Sequence, residues 1–122
     1  MIYRNHGTSW LQSGQAIHGA DADDLFGISA SLSSAGDTVV IGGNKHDSGG
    51  FDSGHALVYM LAPEWVRVGQ ELVGEATGGN FGRSVAISDH GTRIAVGVRM
   101  EMTEMDLALD TCGCLTYSNI DV

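Results

Sequence analysis

The sequence predicts an all-β fold of antiparallel four-stranded repeat units, enough for about two blades of a β-propeller. Two stretches of the chain align with each other without a gap, and such self-similarity is the signature of a repeat architecture. The chain contains 18 glycines and a single proline, Pro63. This glycine-rich, turn-dense composition suits short strands joined by tight turns, and an apolar content of 43% is enough to build a core.

The internal repeat pairs residues 10–43 with residues 65–98 at a constant offset of 55 positions. Ten of the 34 aligned pairs are identical. They are Trp10/Trp65, Gly14/Gly69, Gln15/Gln70, Gly19/Gly74, Phe26/Phe81, Gly27/Gly82, Ser29/Ser84, Ser33/Ser88, Gly36/Gly91 and Gly42/Gly97. Because the identities fall on glycine, aromatic and turn positions, where backbone geometry is most demanding, we interpret the two stretches as copies of one structural unit.

The strands of each unit follow from the apolar pattern and the turn residues. The predicted strands are 2–3 and 10–17 at the start of the chain, 26–32, 38–42, 55–61 and 65–73 in the first complete unit, and 81–87 and 93–98 in the next. Residues 39–41 form a continuous apolar run, which is typical of a strand buried on both faces. Residues 33–36 and 88–91 predict hairpin turns. Pro63 ends a strand because it cannot donate to a ladder, and Gly69 predicts a bulge or bend.

These strands divide the chain into four parts. Residues 1–19 end a preceding blade, 20–73 form a complete blade, 74–99 start the next blade, and 100–122 form a divergent or degraded tail. Leu115 and Tyr117 in the tail echo Leu57 and Tyr59 at an offset of 58, so one interpretation is a degraded third strand. The other interpretation is a tail unrelated to the repeat.

The repeated motif W-x3-G-x4-G, followed by F-G-x-S and then by L/I-S-x2-G-x4-V/I-G, resembles FG-GAP repeats of the integrin-alpha type. The resemblance covers residues 10–98. It implies a propeller of about seven blades that is often extracellular or on the cell surface and serves adhesion or ligand binding.

The sequence departs from this family at the calcium loop, which many FG-GAP blades carry in the form D-x-[DN]-x-D-G. The equivalent positions are 33–37 and 88–92, and each of these turns holds a single carboxylate. Calcium takes six to eight oxygen ligands, so we expect no calcium and no other cofactor at these turns.

The charge balance excludes several partners. Fifteen acidic and six basic residues give a formal charge of −9, which argues against nucleic acids and anionic membranes as partners. No apolar run has the roughly 18–20 residues needed to cross a bilayer, and the first residues have no apolar stretch typical of a signal peptide. Compartment is therefore suggested only by the family resemblance.

The candidate binding residues lie in or beside the long loop 43–54 and are His46, Asp47, Asp52 and His55. Two imidazoles and two carboxylates are able to bind zinc or a similar ion. However, Gly49 and Gly50 favour a flexible, solvated loop, and the other copy has no equivalent set, so we predict a ligand-binding loop without metal. A second acidic run, Asp21, Asp23 and Asp24, is interpreted as a solvated loop as well.

These observations predict a non-catalytic binding or adhesion module with a protein or carbohydrate ligand. One alternative is a fragment of a glycan-active enzyme on a propeller scaffold, and another is a truncated chain with no independent function. A blade cannot bury both of its faces alone, so we expect self-association or completion by further blades.

Overall fold

The computed structural model describes residues 1–47, 50–98 and 114–118, whose regular structure is β apart from one short 3₁₀ turn, Ala22–Asp24. The strands are β1 (Tyr3–Asn5), β2 (Trp10–Gln12), β3 (Phe26–Leu32), β4 (Thr38–Gly43), β5 (His55–Leu61), β6 (Trp65–Val73), β7 (Val85–Ile87), β8 (Arg93–Gly97) and β9 (Cys114–Ser118). They form three antiparallel sheets with the orders β1-β2, β3-β4-β5-β6 and β7-β8-β9. The prediction of an all-β antiparallel fold with a four-stranded unit is confirmed. In the described part of the chain, no helix is long and apolar enough to span a membrane.

The four-stranded sheet follows the predicted strand bounds closely, whereas the strands predicted at 10–17, 81–87 and 93–98 are shorter than predicted and the strand predicted at 2–3 lies at Tyr3–Asn5. The strand predicted at 81–87 begins only at Val85, because the glycine after Phe81 has a positive φ of 95° and bends the chain before the ladder starts. The strand predicted at 10–17 ends at Gln12, because its partner β1 offers only three paired residues. The bulge predicted at Gly69 is present as a register shift between β5 and β6.

The two hairpin turns of the repeat are built by the same hydrogen bonds. In the first turn the Thr38 main-chain N–H donates to Ser33 Oγ at 3.2 Å, and in the second the Arg93 N–H donates to Ser88 Oγ at 3.0 Å. In each turn a glycine with φ near 74° closes the loop onto the serine carbonyl. The predicted simple hairpins are confirmed, and the identical Ser and Gly positions have a common structural cause.

The inner strand β4 is covered on both faces, as its apolar run predicts. Val40 is fully buried against the β7–β9 side, in a cluster with Phe81 and Ile94. Its neighbours Val39 and Ile41 face the opposite side, in a second cluster with residues from the start of the chain. Alternate residues of one strand therefore enter two different cores, because successive side chains of a strand point to opposite faces.

The sheet β7-β8-β9 repeats the pairing of the first complete unit. Ile41 of β4 lies opposite Leu57 of β5, and Val96 of β8 lies opposite Leu115 of β9. Val96 lies 55 positions after Ile41, and Leu115 lies 58 positions after Leu57. β9 therefore takes the place of a third strand in its unit. Except for 114–118, the predicted tail 100–122 lies outside the described residues.

Candidate functional site

Four titratable side chains from separate elements meet at one edge of the four-stranded sheet. Asp24 ends the 3₁₀ turn, His46 follows β4, His55 begins β5, and Glu71 lies in the bulge of β6. We call these four residues the histidine–carboxylate cluster. Its members come together because β4, β5 and β6 are neighbours in the sheet and the 3₁₀ turn leads directly into β3.

Main-chain hydrogen bonds fix the position of His46 beside the sheet. The Gly54 N–H donates to the His46 carbonyl at 2.8 Å, and the His46 N–H donates to the Gly43 carbonyl at 3.3 Å. The Lys45 N–H donates to the Asp24 carbonyl at 3.2 Å, which ties the 3₁₀ turn to the same segment. The loop is therefore anchored at the residues that carry the cluster.

The two histidine rings are stacked, with centroids 3.8 Å apart and planes inclined by 13°. His46 Nδ1 lies 2.5 Å from Asp24 Oδ2, and His46 Nε2 lies 3.1 Å from Glu71 Oε1. The same Glu71 oxygen lies 3.1 Å from His55 Nδ1. The Glu71 oxygen thus contacts both rings, while the Asp24 carboxylate contacts the other nitrogen of the His46 ring.

Burial differs among the members and sets their chemistry. His55 is 2% exposed, and burial lowers its pKa, although the hydrogen bond to Glu71 opposes that shift. A neutral His55 that donates from Nδ1 to a carboxylate keeps a lone pair on Nε2, and this atom is buried with no hydrogen-bond partner. Asp24 is 6% exposed, whereas Asp21 and Asp23 are exposed. The expectation of a solvated acidic loop is therefore wrong for Asp24, because the turn directs its carboxylate to His46.

The four residues proposed from the sequence separate into two groups. His46 and His55 come together in the cluster. Asp47 and Asp52 contact each other instead, since the Asp52 N–H donates to Asp47 Oδ1 at 2.8 Å, and Asp52 also lies 4.0 Å from the Lys45 ammonium. The Asp47 carboxylate thus accepts a hydrogen bond within the loop, and the Asp52 carboxylate faces Lys45, so neither joins the cluster.

Sequence reasoning did not place Glu71 at the site. The available signal was the hairpin around Pro63, whose pairing sets His55 opposite Val73 and therefore brings residues near 71 to the same end of the sheet. The repeat supplies a second signal, since the positions equivalent to Asp24 and Glu71 are Gly79 and Ala16. The cluster is therefore particular to one unit and is not part of the shared fold pattern.

No protein-family model matches the chain, and neither curated proteins nor solved structures include a match to it.

Proposed function

We propose that the protein is a non-catalytic binding module made of FG-GAP-like repeats, and that its three sheets are consecutive blades of a β-propeller. In this arrangement further copies of the chain supply the units that cover its two open ends. The observation that carries the proposal is a unit-to-unit contact that occurs once among the described residues, while the groups equivalent to its two halves, Trp10 and the Gly69–Gln70 pair, are exposed.

That contact joins the start of the chain to β6. Trp65 is 4% exposed, and its indole N–H donates to the Ser13 carbonyl at 2.7 Å. The Gln15 side chain donates to the Trp65 carbonyl at 2.8 Å and accepts from the Trp65 N–H at 2.7 Å. A Cβ on Gly14 would approach the indole ring to 2.8 Å, so glycine is needed for the ring to lie this close. The Gly–Gln pair of one unit thus receives the tryptophan of the next.

The repeat places the same groups at both ends of the chain. Trp10, the equivalent of Trp65, is 66% exposed. Gly69 and Gln70, the equivalents of the receiving pair, are exposed, and no atom of the described residues would contact a Cβ on Gly69. One copy therefore presents a tryptophan, and another copy presents the Gly–Gln pair that would receive it. Such a head-to-tail contact forms a ring when its rotation closes.

The binding role rests on the loops that the sheets present. The segment between β4 and β5 is the longest loop of the complete unit, and loops held on a rigid scaffold are common sites of recognition. A protein or a carbohydrate is the ligand class that the FG-GAP resemblance suggests. If the purified protein is retained on an immobilised glycan or protein and leaves that ligand unchanged, the binding role is supported. Cleavage of the glycan by the purified protein overturns the non-catalytic assignment.

The assembly is tested by light scattering on a sizing column. We expect the wild-type chain to elute with a discrete mass that is a multiple of one chain, and Trp10→Ala to elute as the single chain. Leu11→Ala is the matched control, because Leu11 is 52% exposed and its equivalent Val66 is 54% exposed inside the chain, so this position stays exposed in both settings. A wild-type monomer at every concentration, or equal loss of assembly in both variants, contradicts the proposed contact.

A further inference from the structure

We propose that Asp24, His46 and His55 form a binding site for a divalent transition-metal ion of the zinc class, with Glu71 orienting the two imidazoles. Each of the three residues offers one ligand atom, and these atoms lie within 4.8 Å of one another. Two imidazoles and one carboxylate are a ligand set that zinc accepts, with a further position left for water. The site does not depend on the proposed binding function or on assembly.

The contacts of Glu71 select which nitrogens bind the ion. An ionised carboxylate only accepts hydrogen bonds, so His46 Nε2 and His55 Nδ1 donate to Glu71 Oε1 when each is protonated at that atom. These contacts leave His55 Nε2 and His46 Nδ1 as the ligand atoms, and an ion at His46 Nδ1 replaces the proton of its hydrogen bond to Asp24. A carboxylate that accepts from the second nitrogen of a ligating histidine is the usual outer partner in metal sites, because it fixes the tautomer and the ring orientation.

The two remaining nitrogens have the surroundings that a ligand set requires. His46 Nδ1 is hydrogen-bonded to a carboxylate oxygen of Asp24 at 2.5 Å, and an ion that binds both atoms takes the place of the shared proton. His55 Nε2 is buried and has no hydrogen-bond partner, which is costly for a polar atom unless a ligand occupies its lone pair. A Cβ on Gly43 would lie 2.8 Å from this nitrogen, so the glycine leaves space beside it.

The charges of the cluster also suit a divalent cation. Asp24 and Glu71 carry two negative charges at a place where the His46 and His55 side chains are only 13% and 3% exposed. With both imidazoles neutral, a doubly charged ion balances the two carboxylates. Calcium does not suit this set, since calcium takes six to eight oxygen ligands and two of the three donors here are nitrogens.

Binding requires a change in the inclination of the two stacked rings. A metal ion lies close to the plane of each imidazole that it binds, whereas the two ring planes are now inclined by only 13°. The main chain of both histidines is held by hydrogen bonds, and His55 is the more buried ring, so the side chain of His46 is the one that turns on loading. The ligand residues are therefore already close together, and the inclination of their rings adjusts when the ion binds.

The test uses the full chain after removal of metal with a chelator. Titration with ZnCl2 by calorimetry should give one ion per chain, and Co2+ should give the visible absorption bands of a four-coordinate site. His46→Ala and Asp24→Asn should abolish or strongly weaken binding, and Glu71→Gln should weaken it by about 10–100-fold, as removal of an outer partner does. CaCl2 should give no signal.

Two control variants test whether Zn2+ binding depends on side chains outside the proposed ligand set. Asp23→Asn changes an exposed neighbouring carboxylate that is not a proposed ligand, and His90→Ala removes an exposed histidine at a turn. Both should bind Zn2+ as the wild type does. Far-ultraviolet circular dichroism checks the fold of each variant, and Glu71→Gln keeps the test informative if a ligand variant does not fold. Absence of Zn2+ binding, unchanged binding in Glu71→Gln and Asp24→Asn, or equal loss in the controls overturns the site.

Discussion

A pair of glycine substitutions tests the packing between repeat units, because the repeat provides its own control. Gly27 and Gly82 are equivalent positions, and both have φ of 95°. A Cβ on Gly27 would meet no atom within 4 Å, whereas a Cβ on Gly82 would lie closer than 3.0 Å to the His55 carbonyl oxygen. Alanine at either position therefore meets the same backbone conformation, and only Gly82→Ala also forces two sheets apart.

The expected losses of stability follow from these two costs. Positive φ costs a residue with a Cβ about 1–2 kcal/mol, so we expect Gly27→Ala to lower the free energy of unfolding by that amount. Overpacking adds about 1–3 kcal/mol, which brings Gly82→Ala to a loss of about 2–5 kcal/mol. The backbone around Gly82 has little freedom to yield, since its N–H donates to Gly97 and its carbonyl accepts from Ser29 Oγ at 2.7 Å.

The measurement is chemical denaturation followed by circular dichroism, with thermal unfolding as a second readout. For a domain of this size a loss of 1 kcal/mol corresponds to a fall in Tm of about 4 °C, so the two variants are readily separated. Equal losses for Gly27→Ala and Gly82→Ala would refute the close approach between the sheets. A Gly82→Ala protein as stable as the wild type would refute both parts of the reasoning.

Two further substitutions use the same internal control. Gln15→Ala removes two hydrogen bonds to the main chain of β6 and should lower the free energy of unfolding by about 1–3 kcal/mol. The equivalent Gln70→Ala should leave the free energy of unfolding of the dilute chain unchanged. Denaturant titration of both variants measures the difference. Phe81→Ala removes a fully buried ring and should cost about 3–5 kcal/mol, whereas Phe26→Ala, at a half-buried position, should cost less. The order of the two phenylalanine variants in thermal unfolding decides this point, and a reversed order would contradict the assignment of the main core.

Much of the local structure is predictable from the chain alone. The hairpin turns, the bulge at Gly69, and the bounds of β3, β5 and β6 follow from glycine, proline and serine positions and from apolar periodicity. These features depend on backbone conformations and hydrogen bonds between residues close in sequence. For the tail, the sequence left two interpretations open, and the pairing of β9, in which Leu115 takes the register of Leu57, agrees with the degraded third strand.

The cluster and the difference between the two tryptophans depend on tertiary structure. Asp24 and Glu71 are 47 positions apart in the printed sequence and meet through His46 only because separate elements converge at one sheet edge. Trp10 and Trp65 have the same local motif, yet one is exposed and the other is buried by a preceding unit. Sequence by itself thus determined the repeated unit and its turns, which are set by local backbone chemistry. Burial and the convergence of distant side chains were decided only by the packing of one unit on another.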